Sequence, residues 1–149
     1  MTTLDLTRAL SDSLPEILGT MFFSDVMEDC EDGVVAADSL SASLSFHGPL
    51  SGDFQLHIDL PAARLLAASF LAEEEDALAP AQIEEAICEL ANMICGGVLT
   101  RLQPDALYSL SHPEVMRAGN SILSHDGVMT NHTVCLDGGR LNAYLAFRG

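Results

Sequence analysis

Residues 80–101 constrain the fold more than any other stretch. Ile83, Ile87, Leu90, Ile94 and Val98 fall on one stripe when the segment is wound at about 100° per residue. A helix with such a stripe must bury it against a core. Ala79-Pro80 opens the helix and Gln103-Pro104-Asp105 ends it, because proline suits a first turn and breaks an interior. The opposite face carries Glu85, Glu89, Asn92 and Gly96 at spacings of 4, 3 and 4, which makes a straight row. Asn92 is a poor helix former with no capping role at that position. Gly96 and Gly97 each cost roughly 1 kcal/mol against alanine. Two readings fit this wheel. One is a solvated helix face with a close helix–sheet contact at the glycines. The other is a docking face, whose glycines let another backbone approach.

The other segments supply a sheet for this helix to cover. Residues 1–20 read as a helix, with Leu6, Leu10, Leu14, Leu18 and Met21 at helical spacing and Pro15 marking a kink or a late start. An acidic connection ends at Glu31-Asp32-Gly33. Residues 34–46 and 50–59 alternate apolar and polar, and His47-Gly48-Pro49 joins them as a hairpin. Phe54, Leu56 and Ile58 mark the buried face, while His57 takes the solvated side. Residues 62–71 form a short apolar helix after Pro61, and Glu73-Glu74-Glu75-Asp76 is a surface loop. Strands follow near 107–110, 122–124, 128–136 and 141–147, the last two joined through Asp137-Gly138-Gly139-Arg140. The expected fold is α+β, one domain over residues 1–149. An antiparallel sheet carries two long helices on one face, in the order α-β-β-α-α-β-β-β. The apolar last strand reads as a sheet edge open to a second subunit.

Charge narrows the partners. Twenty-two acidic residues against six Arg, and no Lys, leave the 149-residue chain at −16. Nucleic acid and anionic membranes need a basic surface, so neither is an expected ligand. A partner with a basic patch is favoured. No stretch approaches the ~20 apolar residues that span a bilayer, and no secretory signal is visible at the N-terminus. Cys30, Cys88, Cys95 and Cys135 form no CxxC or zinc-type spacing. The reading is a cytoplasmic protein with reduced thiols. The five histidines are scattered, and Ser109, Ser111 and His112 lack a nucleophile-elbow sequence. Asp126-Gly127 and Asp137-Gly138 are turns outside any calcium-loop spacing.

The run Glu89-Leu90-Ala91-Asn92-Met93-Ile94-Cys95-Gly96-Gly97 resembles the signature helix of the CheC/CheX/FliY phosphatases of bacterial chemotaxis. That helix carries Glu-x-x-Asn, an apolar pair and a glycine. The family pattern also has Asp or Ser four residues before the Glu, where this chain has Glu85, and a proline about twenty residues after the Asn. Pro113 lies 21 positions beyond Asn92. The first helix reads Glu16-Ile17-Leu18-Gly19, with glycine where a second site would need Asn. The arrangement is therefore similar to the single-site CheX-like members.

This resemblance implies a substrate: the aspartyl phosphate of a CheY-like response-regulator receiver domain. The receiver supplies Mg²⁺ and a Lys, so the helper needs no cofactor or metal of its own. It has to add little beyond an oriented water for in-line attack. The resemblance assigns that role to Asn92, whose neutral amide does not repel the phosphoryl group. Glu89 would dock on the receiver Lys, Glu85 would extend the acidic contact, and Gly96 would admit the receiver surface. The resemblance also implies a homodimer. Two other readings stand beside the phosphatase: a CheX-like adaptor that binds a receiver or other signalling protein without hydrolysis, and a flagellar scaffold component that uses the helix for assembly.

Overall fold

The structure is a computed structural model that describes residues 3–22, 39–117 and 129–148. Helix α1 (Thr3–Met21) leads to the hairpin of β1 (Ser39–His47) and β2 (Ser51–Asp59). Helices α2 (Leu60–Leu71) and α3 (Pro80–Leu102) come next, then β3 (Ser109–Leu110), β4 (Glu114–Arg117), β5 (Met129–Leu136) and β6 (Gly139–Arg148). The strands form one antiparallel sheet, ordered β3-β1-β2-β6-β5, with β4 also on the β1 edge. The α+β architecture, with α1 and α3 on one face of the sheet, is the expected one. Helix α2 shares their layer, and all three helices feed a single hydrophobic core.

Periodicity explains the core directly. Leu6, Leu10, Leu14 and Leu18 of α1, Phe54, Leu56 and Ile58 of β2, and Ile83, Ile87, Leu90, Ile94 and Val98 of α3 are all buried. Pro15 sits on the exposed side of α1. There its missing N–H leaves a carbonyl that water can reach, so the helix continues through it from Thr3. Met21 is 42% exposed, and Phe22 takes the buried place at that end. Phe22 stacks on Phe70 with ring centroids 4.6 Å apart.

Several expectations need correction. The last strand is not an edge: β6 pairs with β2 on one side and β5 on the other. Its apolar residues are therefore enclosed within the sheet. Strand β4 has no counterpart in the sequence reading. It is short and lies with β3 along the outer side of β1. Pro113 separates the two pieces, since proline cannot donate to a ladder. Across that gap Ser111 N donates to the Ser45 carbonyl at 2.8 Å, and Ser45 N donates to Ser111 Oγ at 2.8 Å. The strand expected at 122–124, the Asp126-Gly127 turn and residues 34–38 of the first strand lie outside the described residues.

His57 is 7% exposed and not solvated. It lies off the core face, but its cross-strand neighbours Ser41 and Asn142 are also buried, and the Tyr144 ring meets it edge-on at 5.5 Å. Burial lowers its pKa from 6.5. The Asp137–Arg140 turn is a tight hairpin, with Gly138 at φ +88°, a conformation that suits glycine. Arg140 N donates to Asp59 Oδ2 at 2.8 Å, which ties β6 to the start of α2.

Candidate functional site

Helix α3 carries the site because its first turn is capped and its second half is fixed against α1. At its start, Ala79 N donates to Gln82 Oε1 at 2.8 Å and Pro80 occupies the first turn. Near its end, Arg101 pairs with Glu16 of α1. Gly97 lies against α1: a Cβ added there would stand 3.0 Å from Ile17 Cδ1. The close contact at the glycines is thus between two helices and not between helix and sheet.

With the apolar stripe buried, the polar row faces outward. Glu85 and Glu89 are exposed, and Asn92 and Gly96 are half-buried. The structure brings the four predicted residues together along one side of α3, over about 16 Å at 1.5 Å per residue. Gly96 differs from its neighbour Gly97. A Cβ added at Gly96 would meet nothing within 4 Å, so no contact inside the molecule calls for glycine there.

Two hollows flank the row. At the Glu85 and Glu89 end, these side chains line a cavity of about 550 Å³ with Phe70, Leu71, His112 and Val115 among its other walls. At the other end, Gly96 and Thr100 line a smaller one of about 260 Å³ with Leu107, which is 91% exposed. Neither hollow is legible in the sequence, because each is assembled from segments far apart in the chain.

Cys88 reports the electrostatics of the larger cavity. Its half-buried thiol is free and lies 3.8 Å from the Pro113 carbonyl. Burial pushes its pKa up, and the carboxylates of Glu84, Glu89 and Glu85 push it further. Cys95, two turns further along α3 and fully buried, is pushed up to about 12 by burial. Cys135 is disulfide-bonded. The expectation of reduced thiols therefore fails at Cys135, where the fold makes a pairing that sequence spacing did not signal. Among the described residues, no group of three His, Cys, Asp or Glu side chains is placed to hold a metal ion, and no helix is long and apolar enough to cross a membrane.

The family model described as chemotaxis phosphatase CheX matches residues 40–136. The chain belongs to the CheX family. The matched region spans β1 to the end of β5 and includes the whole of α3. No curated protein matches the sequence. Among solved structures, the chemotaxis protein CheX of Vibrio vulnificus superposes with a TM-score of 0.80 at 18% identity, over 99% of both chains. A CheC-like superfamily protein of Shewanella sp. PV-4 gives 0.78 at 19% identity, over 100% of both chains. A CheX–CheY–BeF3–Mg²⁺ complex from Borrelia burgdorferi gives 0.70 at 20% identity, over 95% of this chain and 97% of that one. These likenesses show the CheX fold for the whole chain.

Proposed function

We propose that this CheX-family chain accelerates hydrolysis of the aspartyl phosphate on a CheY-like receiver domain. The observation that carries the reading is the outward row of Glu85, Glu89, Asn92 and Gly96 on a helix otherwise committed to the core. In this reading Asn92 orients the attacking water, Glu89 pairs with the receiver Lys, and Glu85 extends the acidic contact. The Borrelia relative crystallised with CheY, BeF3 and Mg²⁺ supports a receiver as the partner. The Mg²⁺ is the receiver's and neutralises phosphoryl oxygens there. The protein's own residues dock, place one water and shield it.

A neutral amide suits the task. It can donate to and accept from a water while carrying no charge to repel the phosphoryl group. The half-buried position of Asn92 supports this role, since neighbouring side chains restrict a partly enclosed amide before the receiver arrives. An adaptor reading would leave the amide without a task. The decay of a phosphorylated receiver from the same organism, with and without the protein, separates the two.

Gly96 provides an independent check. Gly96→Ala meets no steric obstacle in the molecule and should stabilise the fold by about 0.5–1 kcal/mol, seen as a higher urea midpoint. The same methyl group should weaken receiver binding, because it stands where the partner's surface closes on the helix. Stabilisation with undiminished receiver affinity would remove Gly96 from the interface.

The proposal also includes a homodimer. Since β6 is enclosed, a second copy would add at an end of the described sheet path instead, and β5 is one of those ends. Light scattering at micromolar concentration should give twice the chain mass, and a monomer mass would count against it.

A further inference from the structure

The hollow at the Gly96 end of the row differs in chemistry from the cavity at the acidic end. Gly96, Leu99 and Thr100 of α3 line it together with Ala106, Leu107, Tyr108 and Leu110. Among the described residues that line it, none is charged. Both hydroxyl groups of the lining already give their protons to acceptors of this chain. Thr100 Oγ1 donates to the Gly96 carbonyl at 2.9 Å, and Tyr108 OH donates to Gln103 Oε1. The hollow therefore offers mainly apolar surface, with Leu107 standing 91% exposed beside it. A single exposed leucine is ordinary on a protein surface, but this one is held from both sides. Before it, Gln103 N donates to the Leu99 carbonyl at 2.9 Å and Ala106 N to the Gln103 carbonyl at 3.1 Å. After it, the Tyr108 ring meets Phe46 edge-on at 6.1 Å. Gly48 admits this loop: a Cβ added there would stand 2.7 Å from Tyr108 Cδ1 and 2.8 Å from the Leu107 carbonyl oxygen.

We infer that Leu107 and this hollow form the apolar end of the receiver docking face, and that they take an apolar side chain of the receiver. The inference rests on the proposed receiver docking and adds a contact that the acidic residues do not make. Position selects the occupant. Gly96 belongs to both the row and the hollow, and it follows Asn92 by one helical turn, about 6 Å along the axis. A surface that closes over Asn92 and Gly96 therefore reaches the hollow as well. Chemistry selects it too. A charged side chain would lose water there and find no opposite charge among the described lining residues, which is costly. The volume of about 260 Å³ falls below the roughly 300–1,000 Å³ usual for small-molecule sites, and it suits one side chain. Because the loop already fixes Leu107 in the free protein, little ordering is needed when the receiver arrives. Acid at the Glu85 and Glu89 end and apolar surface at the Leu107 end also give the docking face a direction, so that a receiver turned end for end would place its Lys against leucine.

The test compares Leu107→Ser and Leu107→Met with wild type, using a receiver from the same organism held by beryllofluoride and Mg²⁺. Leu107 is exposed, so both urea midpoints should match wild type. Leu107→Ser should lose receiver affinity by about tenfold or more, the size expected when one buried apolar side chain is withdrawn from an interface. Leu107→Met should keep most of the affinity, because it restores apolar area without the leucine shape. The loss in Leu107→Ser should be the same at low and high salt, unlike a lost ion pair, which salt screens. The dephosphorylation rate at saturating receiver should stay at wild type, since Glu89 and Asn92 are untouched. Wild-type affinity in Leu107→Ser overturns the inference, and acceleration of dephosphorylation by the wild-type protein in the same experiment leaves the proposed function standing. A fallen urea midpoint also overturns it, by giving Leu107 a task within the fold. So does a change of mass in light scattering without a change in receiver affinity, which would assign the hollow to a second copy of the chain. A wild-type protein that neither binds nor dephosphorylates any receiver of the organism overturns both readings.

Discussion

Asn92→Ala should slow dephosphorylation of a responsive receiver by about 10²-fold, the size of effect seen when one preorganised transition-state contact is removed. The loss should fall on the maximal rate and leave receiver binding unchanged, because the acidic docking residues remain. Glu89→Ala separates the two roles. It removes a carboxylate that is exposed on the free protein and that pairs with the receiver Lys in the proposed complex. Its effect should appear in affinity and weaken as salt is raised. Neither change should move folding stability by more than about 0.5 kcal/mol, since neither side chain belongs to the buried core. Stopped-flow or radiolabel decay gives the rates, and titration of the beryllofluoride-activated receiver gives the affinities.

Ile87→Ala is the counterpart on the other side of the same helix. Ile87 is fully buried between the sheet and the neighbouring helices. Truncating it loses transfer free energy and leaves a cavity, at a cost of roughly 2–5 kcal/mol. A domain of this size is stable by only about 5–15 kcal/mol, so this single change should lower the urea midpoint markedly. Phosphatase activity per folded molecule should stay near wild type at low temperature. Two positions apart on α3, Ile87 and Glu89 therefore fail in different measurements. A small stability loss for Ile87→Ala would mean that the stripe is less tightly packed than the structure has it.

The helix that carries the row was legible because burial and exposure there are both periodic. Ile83, Ile87, Leu90, Ile94 and Val98 lie on one face, and Glu85 and Glu89 lie on the other. Strand pairing was not legible to the same degree. Hydrophobic alternation identifies 141–147 as a strand, but it does not say which strands lie beside it. The chain returns after α2, α3 and three further strands to place β6 between β2 and β5, and that is a long-range choice. His57 shows the same limit. Alternation puts it opposite Phe54, Leu56 and Ile58, yet the far face of a central strand is not open to solvent when its cross-strand neighbours crowd it. The cavity beside Glu85 and Glu89 was the least accessible feature. Its walls come from the end of α2, one face of α3 and residues 112–115, and only folding brings them together.

The most direct test of the account is a time course of receiver dephosphorylation. Each receiver domain of the same organism is phosphorylated, freed of excess phosphodonor, and followed alone, with wild-type protein and with Asn92→Ala. The account predicts that wild-type protein shortens the phospho-lifetime of at least one receiver, and that Asn92→Ala removes most of that shortening while still binding it. Equal rates for wild type and Asn92→Ala on a responsive receiver would contradict the assignment of Asn92. Binding without any shortening by wild type would replace the phosphatase with an adaptor.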